Sequence, residues 1–191
     1  MTSWFPDPRR IVTGHNSEGK AIVVADGTIP CQPTPIGANF AVLFETHEFP
    51  VSNDGWEDPT KVRTTDLANG KGIVLRVVDI PPNVEKAGML FHRTESLDFG
   101  ILHSGEVICH LDDDVEIHMK AGDVCVQRGT IHGWTNSTDK PARIYFILSA
   151  AKPVNINGQS LTAVGYSKHE IESGGEVKNQ NTLSDDGSQG K

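Results

Sequence analysis

Gly88-Met-Leu-Phe-His92-Arg-Thr94-Glu-Ser-Leu-Asp98-Phe-Gly100, answered further on by Gly122-Asp-Val-Cys-Val-Gln127-Arg-Gly129-Thr-Ile-His132-Gly-Trp134-Thr-Asn136, sets two histidines and a carboxylate into short β-like runs divided by glycine turns. On a strand, residues two apart share a face, so Leu90, His92 and Thr94 point one way while Phe91 and Arg93 point the other. Trp134 shares the face of His132 by the same parity. If that face looks into a small barrel, His92, Asp98 and His132 converge although they are far apart in sequence. Side chains of these types hold a metal or move a proton.

Working outward, Ile73-Val-Leu-Arg-Val-Val-Asp-Ile80 is dense in β-branched residues and stops at Pro81-Pro82, a strand. Further strands are expected at 88–94, 97–103, 106–111, 115–119, 123–127, 131–136 and 143–149. Ser104-Gly105, Asp112-Asp-Asp114 and Lys120-Ala-Gly122 supply turn chemistry between them. Short strands at this spacing imply an all-β sandwich or small barrel, and no helix-period segment interrupts them. Upstream, residues 9–27 read as a hairpin around Gly14–Gly19, and His15 in its turn reads as solvated. The proline-rich stretch 29–37 reads as a surface connection, 39–46 as a strand, and 50–72 as a long irregular loop. Trp56 in that loop is expected to fold back onto the barrel, with a lid role as the alternative. Residues 160–171 read as one more strand or a short helix. The expected organisation is an N-terminal hairpin and loop over 1–72, a barrel core over 73–150, a C-terminal extension over 151–172, and a polar tail over 173–191 whose composition favours disorder.

A chain of 191 residues is most economically a single domain. The formal charge of −8 argues against sequence-independent nucleic-acid binding, which needs clustered cations to displace counterions. The expected partner is therefore a small molecule, with neither nucleic acid nor a membrane. The N-terminus lacks the apolar core of a signal peptide, and no run approaches the roughly 18 apolar residues of a membrane span, so a cytoplasmic protein is expected. Cys31, Cys109 and Cys125 are odd in number and share no zinc-site spacing. Cys109 and Cys125 lie in apolar runs and read as small buried hydrophobes.

The stretch 70–150 resembles the cupins, in particular the small single-domain ones. In the first cupin motif a His-x-His pair precedes a Glu and then a glycine. His92 matches the first histidine, Thr94 occupies the place of the second, Asp98 stands for the Glu, and Gly105 closes the motif. In the second motif Gly122, Gly129, His132 and Asn136 match, Gln127 replaces a proline, and the spacing after Gly122 is one residue short. The resemblance implies a double-stranded β-helix, or jelly-roll barrel, with an N-terminal hairpin extension, and a homodimer. It also implies secondary-metabolite chemistry.

The resemblance further implies a divalent metal, iron, zinc or manganese, on His92, Asp98 and His132. Thr94, a poor ligand, leaves a metal-free site equally open. Without metal the same residues make an acid–base pair for catalysis. Arg93, Thr94, Gln127 and Trp134 are candidate substrate-binding neighbours, and Arg76 or Arg128 could clamp an anion. His103 and His118 read as exposed or packing residues, His110 as pointing away from the interior, and Glu95 as a solvated charge. The expected function is a lyase or isomerase, dehydrating or decarboxylating an aromatic or polyketide-like metabolite. The alternatives are a non-haem iron dioxygenase and a non-catalytic small-molecule-binding protein.

Overall fold

The computed structural model describes residues 4–62 and 66–167, so the expected tail at 173–191 lies outside the described residues. Thirteen strands account for the fold, joined by loops and three short 3-10 turns, with no α-helix among the described residues. In chain order they are β1 Arg9–His15, β2 Ala21–Thr28, β3 Gln32–Pro33, β4 Asn39–Glu45, β5 Ile73–Ile80, β6 Ser96–Ser104, β7 Glu106–His110, β8 Glu116–Lys120, β9 Val124–Arg128, β10 Gly133–Thr135, β11 Ala142–Ala150, β12 Val154–Ile156 and β13 Gln159–Leu161. A six-stranded sheet in the order β3-β4-β5-β11-β6-β9 faces a three-stranded sheet in the order β10-β7-β8. The pairs β1-β2 and β12-β13 stand apart as hairpins. Every pairing is antiparallel.

The larger sheet is covered on both sides. Its inner face joins Val74, Leu102, Ile144, Phe146 and Leu148 to Val107 and Met119 of the smaller sheet in one core. Its outer face carries Ala41, Leu43 and Val77 beneath Ile29 and Cys31. Burial on both faces explains why β5 reads as a continuous apolar run rather than an alternation.

Two polar devices fix this frame. Arg143 and Asp79 are opposite each other in the β5–β11 ladder, and the guanidinium donates from Nε to Oδ1 at 2.6 Å and from Nη2 to Oδ2 at 2.8 Å. Arg143 also donates to the Pro6 carbonyl at 2.8 Å and lies over the Phe5 ring, tying the N-terminal segment to the sheet. Fully buried Asn136 donates to the carbonyls of Pro81 and Lys140, pinning the turn that leads into β11.

Three sequence expectations are corrected. Residues 88–94 are not a strand: Lys86–Gly88 forms a 3-10 turn, and only His92 and Arg93 make single bridges. The run 131–136 shortens to β10. Within the proline-rich segment Gln32–Pro33 does pair, at the edge of the large sheet, where a missing N–H costs no ladder bond. The segment before residue 73 is also part of the large sheet, since it contributes β3 and β4.

Candidate active site

A cavity of about 100 Å³ opens between the sheets, lined by His92, His132, Asp98, Gln127, Arg76 and Trp134 on an apolar wall that includes Phe40, Val78, Phe146 and Leu148. The register of the large sheet puts these side chains there. Asp98 on β6 faces Gln127 on β9 and Leu148 on β11, while Arg76 on β5 faces Phe146. All lie at inward positions of their strands.

The two histidines are joined through their backbones. His92 N–H donates to the His132 carbonyl at 2.8 Å and His132 N–H donates back to the His92 carbonyl at 2.8 Å. This single bridge, far apart in sequence, brings the imidazole centroids to 4.5 Å. Each ring is held the same way: Nδ1 of His92 is 3.1 Å from the Leu90 carbonyl, and Nδ1 of His132 is 3.0 Å from the Thr130 carbonyl. A carbonyl oxygen only accepts, so the hydrogen bonds assign the proton to Nδ1 in both rings and leave each Nε2 with a lone pair. Burial lowers the pKa of His92, and Arg76 adds to the effect. Burial together with the neighbouring His92 takes His132 down to about 3. Both rings are neutral at neutral pH.

Asp98 behaves differently. Its Oδ2 accepts from the Thr94 hydroxyl at 3.1 Å, and Thr94 Oγ1 in turn accepts from Ser96 at 2.7 Å. Its Oδ1 has no partner among the described residues, and neither does either amide atom of Gln127. Burial pushes the Asp98 carboxyl up, opposed by the neighbouring Ser96 and Thr94 hydroxyls and by the charge of Arg76. Arg76 donates from Nη2 to the Asp66 carbonyl at 2.7 Å, with its guanidinium 5.8 Å from the Phe40 ring centroid.

The sequence-predicted residues separate. His92, Asp98, His132, Gln127 and Trp134 line the cavity, whereas Arg93 and Thr94 do not. Thr94 spends its hydroxyl on Asp98, so it orients the carboxylate rather than meeting a ligand. Arg93 stays off the cavity, and its backbone bridges Val164. Trp56 is exposed and off the cavity, against the expectation that it folds back. His103 packs edge-on against Tyr145, and His118 is exposed. His110 was expected outside but is buried, with Nε2 2.7 Å from the Thr135 hydroxyl. Glu95 is exposed, as expected of a solvated charge, and accepts from the Ala163 N–H at 3.2 Å.

Tyr166 was not anticipated. The segment around it crosses the irregular His92 segment through reciprocal Arg93–Val164 backbone bonds, and the Tyr166 ring stands edge-on to His92 at 5.7 Å. Its phenol is pushed up by burial and by a hydrogen bond to Asp66. The only sequence signal is a lone aromatic in an otherwise polar stretch.

Among the described residues, no three His, Cys, Asp or Glu side chains are placed to hold a metal ion together. His92, Asp98 and His132 line one cavity without being drawn together around a common point. At the place where the cupin pattern has a histidine, Thr94 offers no imidazole and instead donates to Asp98 Oδ2. Asp98 keeps Oδ1 unpartnered, so His92, His132 and Asp98 are the residues that would hold a divalent metal there.

Comparison with known proteins fixes the family. The family described as "Cupin domain" matches residues 76–148. Oryzines biosynthesis cluster protein J of Aspergillus oryzae is 34% identical over 175 residues, covering 86% of this chain and 96% of its own length. The chain is a cupin. Another relative of this cupin, the cupin-domain-containing oxidoreductase fogC of Aspergillus ruber, is 33% identical over 160 residues, covering 80% of this chain and 77% of its own. Among solved structures, the cupin domain of Schizosaccharomyces pombe Cnp3 aligns at a TM-score of 0.46 with 14% identity, over 76% of this cupin and 89% of that chain. No helix among the described residues is long and apolar enough to cross a membrane.

Proposed function

We propose that this cupin is an enzyme of secondary metabolism that moves a proton on a small, largely apolar metabolite, in an isomerisation or elimination next to a carbonyl. The observation that carries the reading is the pair of neutral imidazoles whose Nδ1 protons are fixed on backbone carbonyls, leaving both Nε2 lone pairs for a ligand. One Nε2 takes the proton from carbon. With the centroids 4.5 Å apart, the resulting imidazolium disfavours a second proton on its neighbour, so the pair carries one proton at a time. The low basicity of His132 makes it a weak base toward the empty site and a strong acid once protonated. A developing enolate beside the ring offsets this by stabilising the imidazolium, and the Arg76 charge in the cavity wall stabilises the enolate itself. Delivering the proton to a second carbon completes an isomerisation, and delivering it to a departing hydroxyl completes a dehydration.

A redox reading draws support from the word oxidoreductase in the name of the relative fogC. It requires a redox-active partner, because imidazole, carboxylate and amide groups do not change oxidation state.

The test is hydrogen exchange in D2O with a panel of 1,3-dicarbonyl compounds and hydroxylated aromatic ketones, followed by NMR. The wild type should accelerate exchange at the activated carbon, and His92→Gln and His132→Gln should each lose roughly 100-fold or more. Exchange that survives both substitutions would remove the histidines from the mechanism. Turnover that appears only with added iron and oxygen would favour the redox reading.

A further inference from the structure

Gln127 is a buried polar side chain in the cavity wall that the proposed proton transfer does not use. It is 3% exposed on β9, between the exposed neighbours Val126 and Arg128. Neither its Oε1 nor its Nε2 has a hydrogen-bond partner among the described residues. The reason lies in the ladder. β9 is the edge strand of the large sheet, so the cross-strand neighbours of Gln127 come from β6 alone. Directly opposite is Asp98, whose Oδ2 accepts from Thr94. The diagonal positions are Gly100, which has no side chain, and Ser96, whose hydroxyl donates to Thr94. An amide among such neighbours keeps both its donor and its acceptor for whatever enters the cavity. Trp134 Nε1, from the same wall, is another buried donor without a partner among the described residues.

We infer that the cavity takes a neutral lactam, a ring holding a cis-amide, and that Gln127 is the residue that selects it. A cis-amide sets an N–H donor and a C=O acceptor side by side in one plane. The Gln127 carboxamide presents the complement, with Oε1 to accept and Nε2 to donate, so the two groups close a ring of two parallel hydrogen bonds. Turning the Gln127 amide over exchanges its oxygen and nitrogen, and the ligand satisfies either orientation by facing the other way. The pairing is neutral on both sides. That suits a wall containing Phe40, Val78, Phe146 and Leu148, where an ionised carboxylate would lose its water. Trp134 Nε1 can only donate, so it too is met by an oxygen on the ligand.

Selection follows from what a close analogue lacks. A lactone of the same shape puts a ring oxygen where the lactam has its N–H. That oxygen meets Gln127 Oε1 acceptor against acceptor and leaves a buried polar atom unsatisfied, which a closed site penalises more than the loss of apolar contact. The ligand class rests on the proton-transfer reading for one point only, that the carbon losing its proton is next to the lactam carbonyl. Recognition of the ring itself depends on Gln127 and not on the histidines.

The experiment measures binding of matched rings to the full chain by NMR titration and calorimetry, 2-pyridone against 2-pyrone and 2-quinolone against coumarin. The lactam of each pair should bind about tenfold tighter than the lactone, or better. Gln127→Leu should erase that difference and melt no lower than the wild type, because an apolar side chain of similar size strands no polar atom. Equal affinity within each pair, no lactam binding, or benzoate bound more tightly than 2-quinolone would each overturn the inference, and the wild type alone decides these. A Gln127→Leu protein that keeps the lactam preference, or that melts well below the wild type and so reveals a structural partner for the amide, would overturn it as well. The two readings fail separately. Lactam preference without hydrogen exchange at carbon would remove the proton transfer and leave the ligand class standing, whereas exchange without lactam preference would do the reverse.

Discussion

At position 94 a threonine stands where the cupin pattern carries a histidine, and its hydroxyl links Ser96 to Asp98 in a buried chain. Thr94→Val keeps the shape and removes the link, leaving Asp98 Oδ2 and Ser96 Oγ without that partner. The expected cost is about 1–3 kcal/mol in urea unfolding, the penalty for stranding buried polar atoms. An unchanged midpoint would mean that the chain relaxes without loss. The carboxyl of Asp98 should also rise further once a donor to its charged form is gone. Residues of this kind were half legible beforehand. Strand parity correctly brings Trp134 to the cavity with His132. Parity could not tell that the hydroxyl of Thr94 was already spent, because hydrogen-bond partners are a three-dimensional property. His110 was misjudged for the same reason: its burial depends on Thr135, a partner on another strand.

Turns and β-branched runs announced β5 to β9 and β11 to within a residue or two, since both signals are local. The element that seats His92 was not announced. It is an irregular segment held by one bridge to His132 on one side and by the Val164 segment on the other. Gly165 makes that second contact possible: its φ is +88°, and a Cβ there would lie 2.2 Å from the Phe91 carbonyl oxygen. Gly165→Ala should therefore lift the segment and withdraw Tyr166 from the His92 ring. Hydrogen exchange should quicken at 91–93 and 163–166 while β5 and β11 keep their protection, and turnover should fall with it. Unaltered protection around Arg93 would show that the segment does not hold the histidine. By contrast, Gly105 was readable as a turn glycine. Its φ is +81°, and a Cβ would meet the Pro141 carbonyl at 2.7 Å, so the motif's closing glycine is required by the fold rather than by a ligand.

For the molecule as a whole, the buried neutral histidines tie folding to pH. His132 has a folded pKa of about 3 against an ordinary 6.5, so between these values the unfolded chain binds a proton that the native one refuses. Its contribution is unimpaired above about pH 6.5 and is lost as pH falls, at about 1.4 kcal/mol per pH unit. His92 works in the same direction. Asp98 works in the opposite one, because its raised folded pKa favours the native state as pH falls through that value. The net expectation is a melting temperature that drops between pH 6.5 and 4.5 and drops less in His132→Gln. A wild-type midpoint flat across that range would contradict the burial of neutral imidazoles.

The reciprocal backbone bond between His92 and His132, capped by Val164 and Tyr166, also sets when the protein becomes competent during its synthesis. The hairpin β1–β2 can pair as soon as it leaves the ribosome, since its contacts are local. The histidine pair cannot exist until position 132 has emerged, and its aromatic cover waits for position 166. A stalled chain that lacks those positions can hold folded strands and still present no site, so premature chemistry on a half-made protein is precluded by connectivity alone.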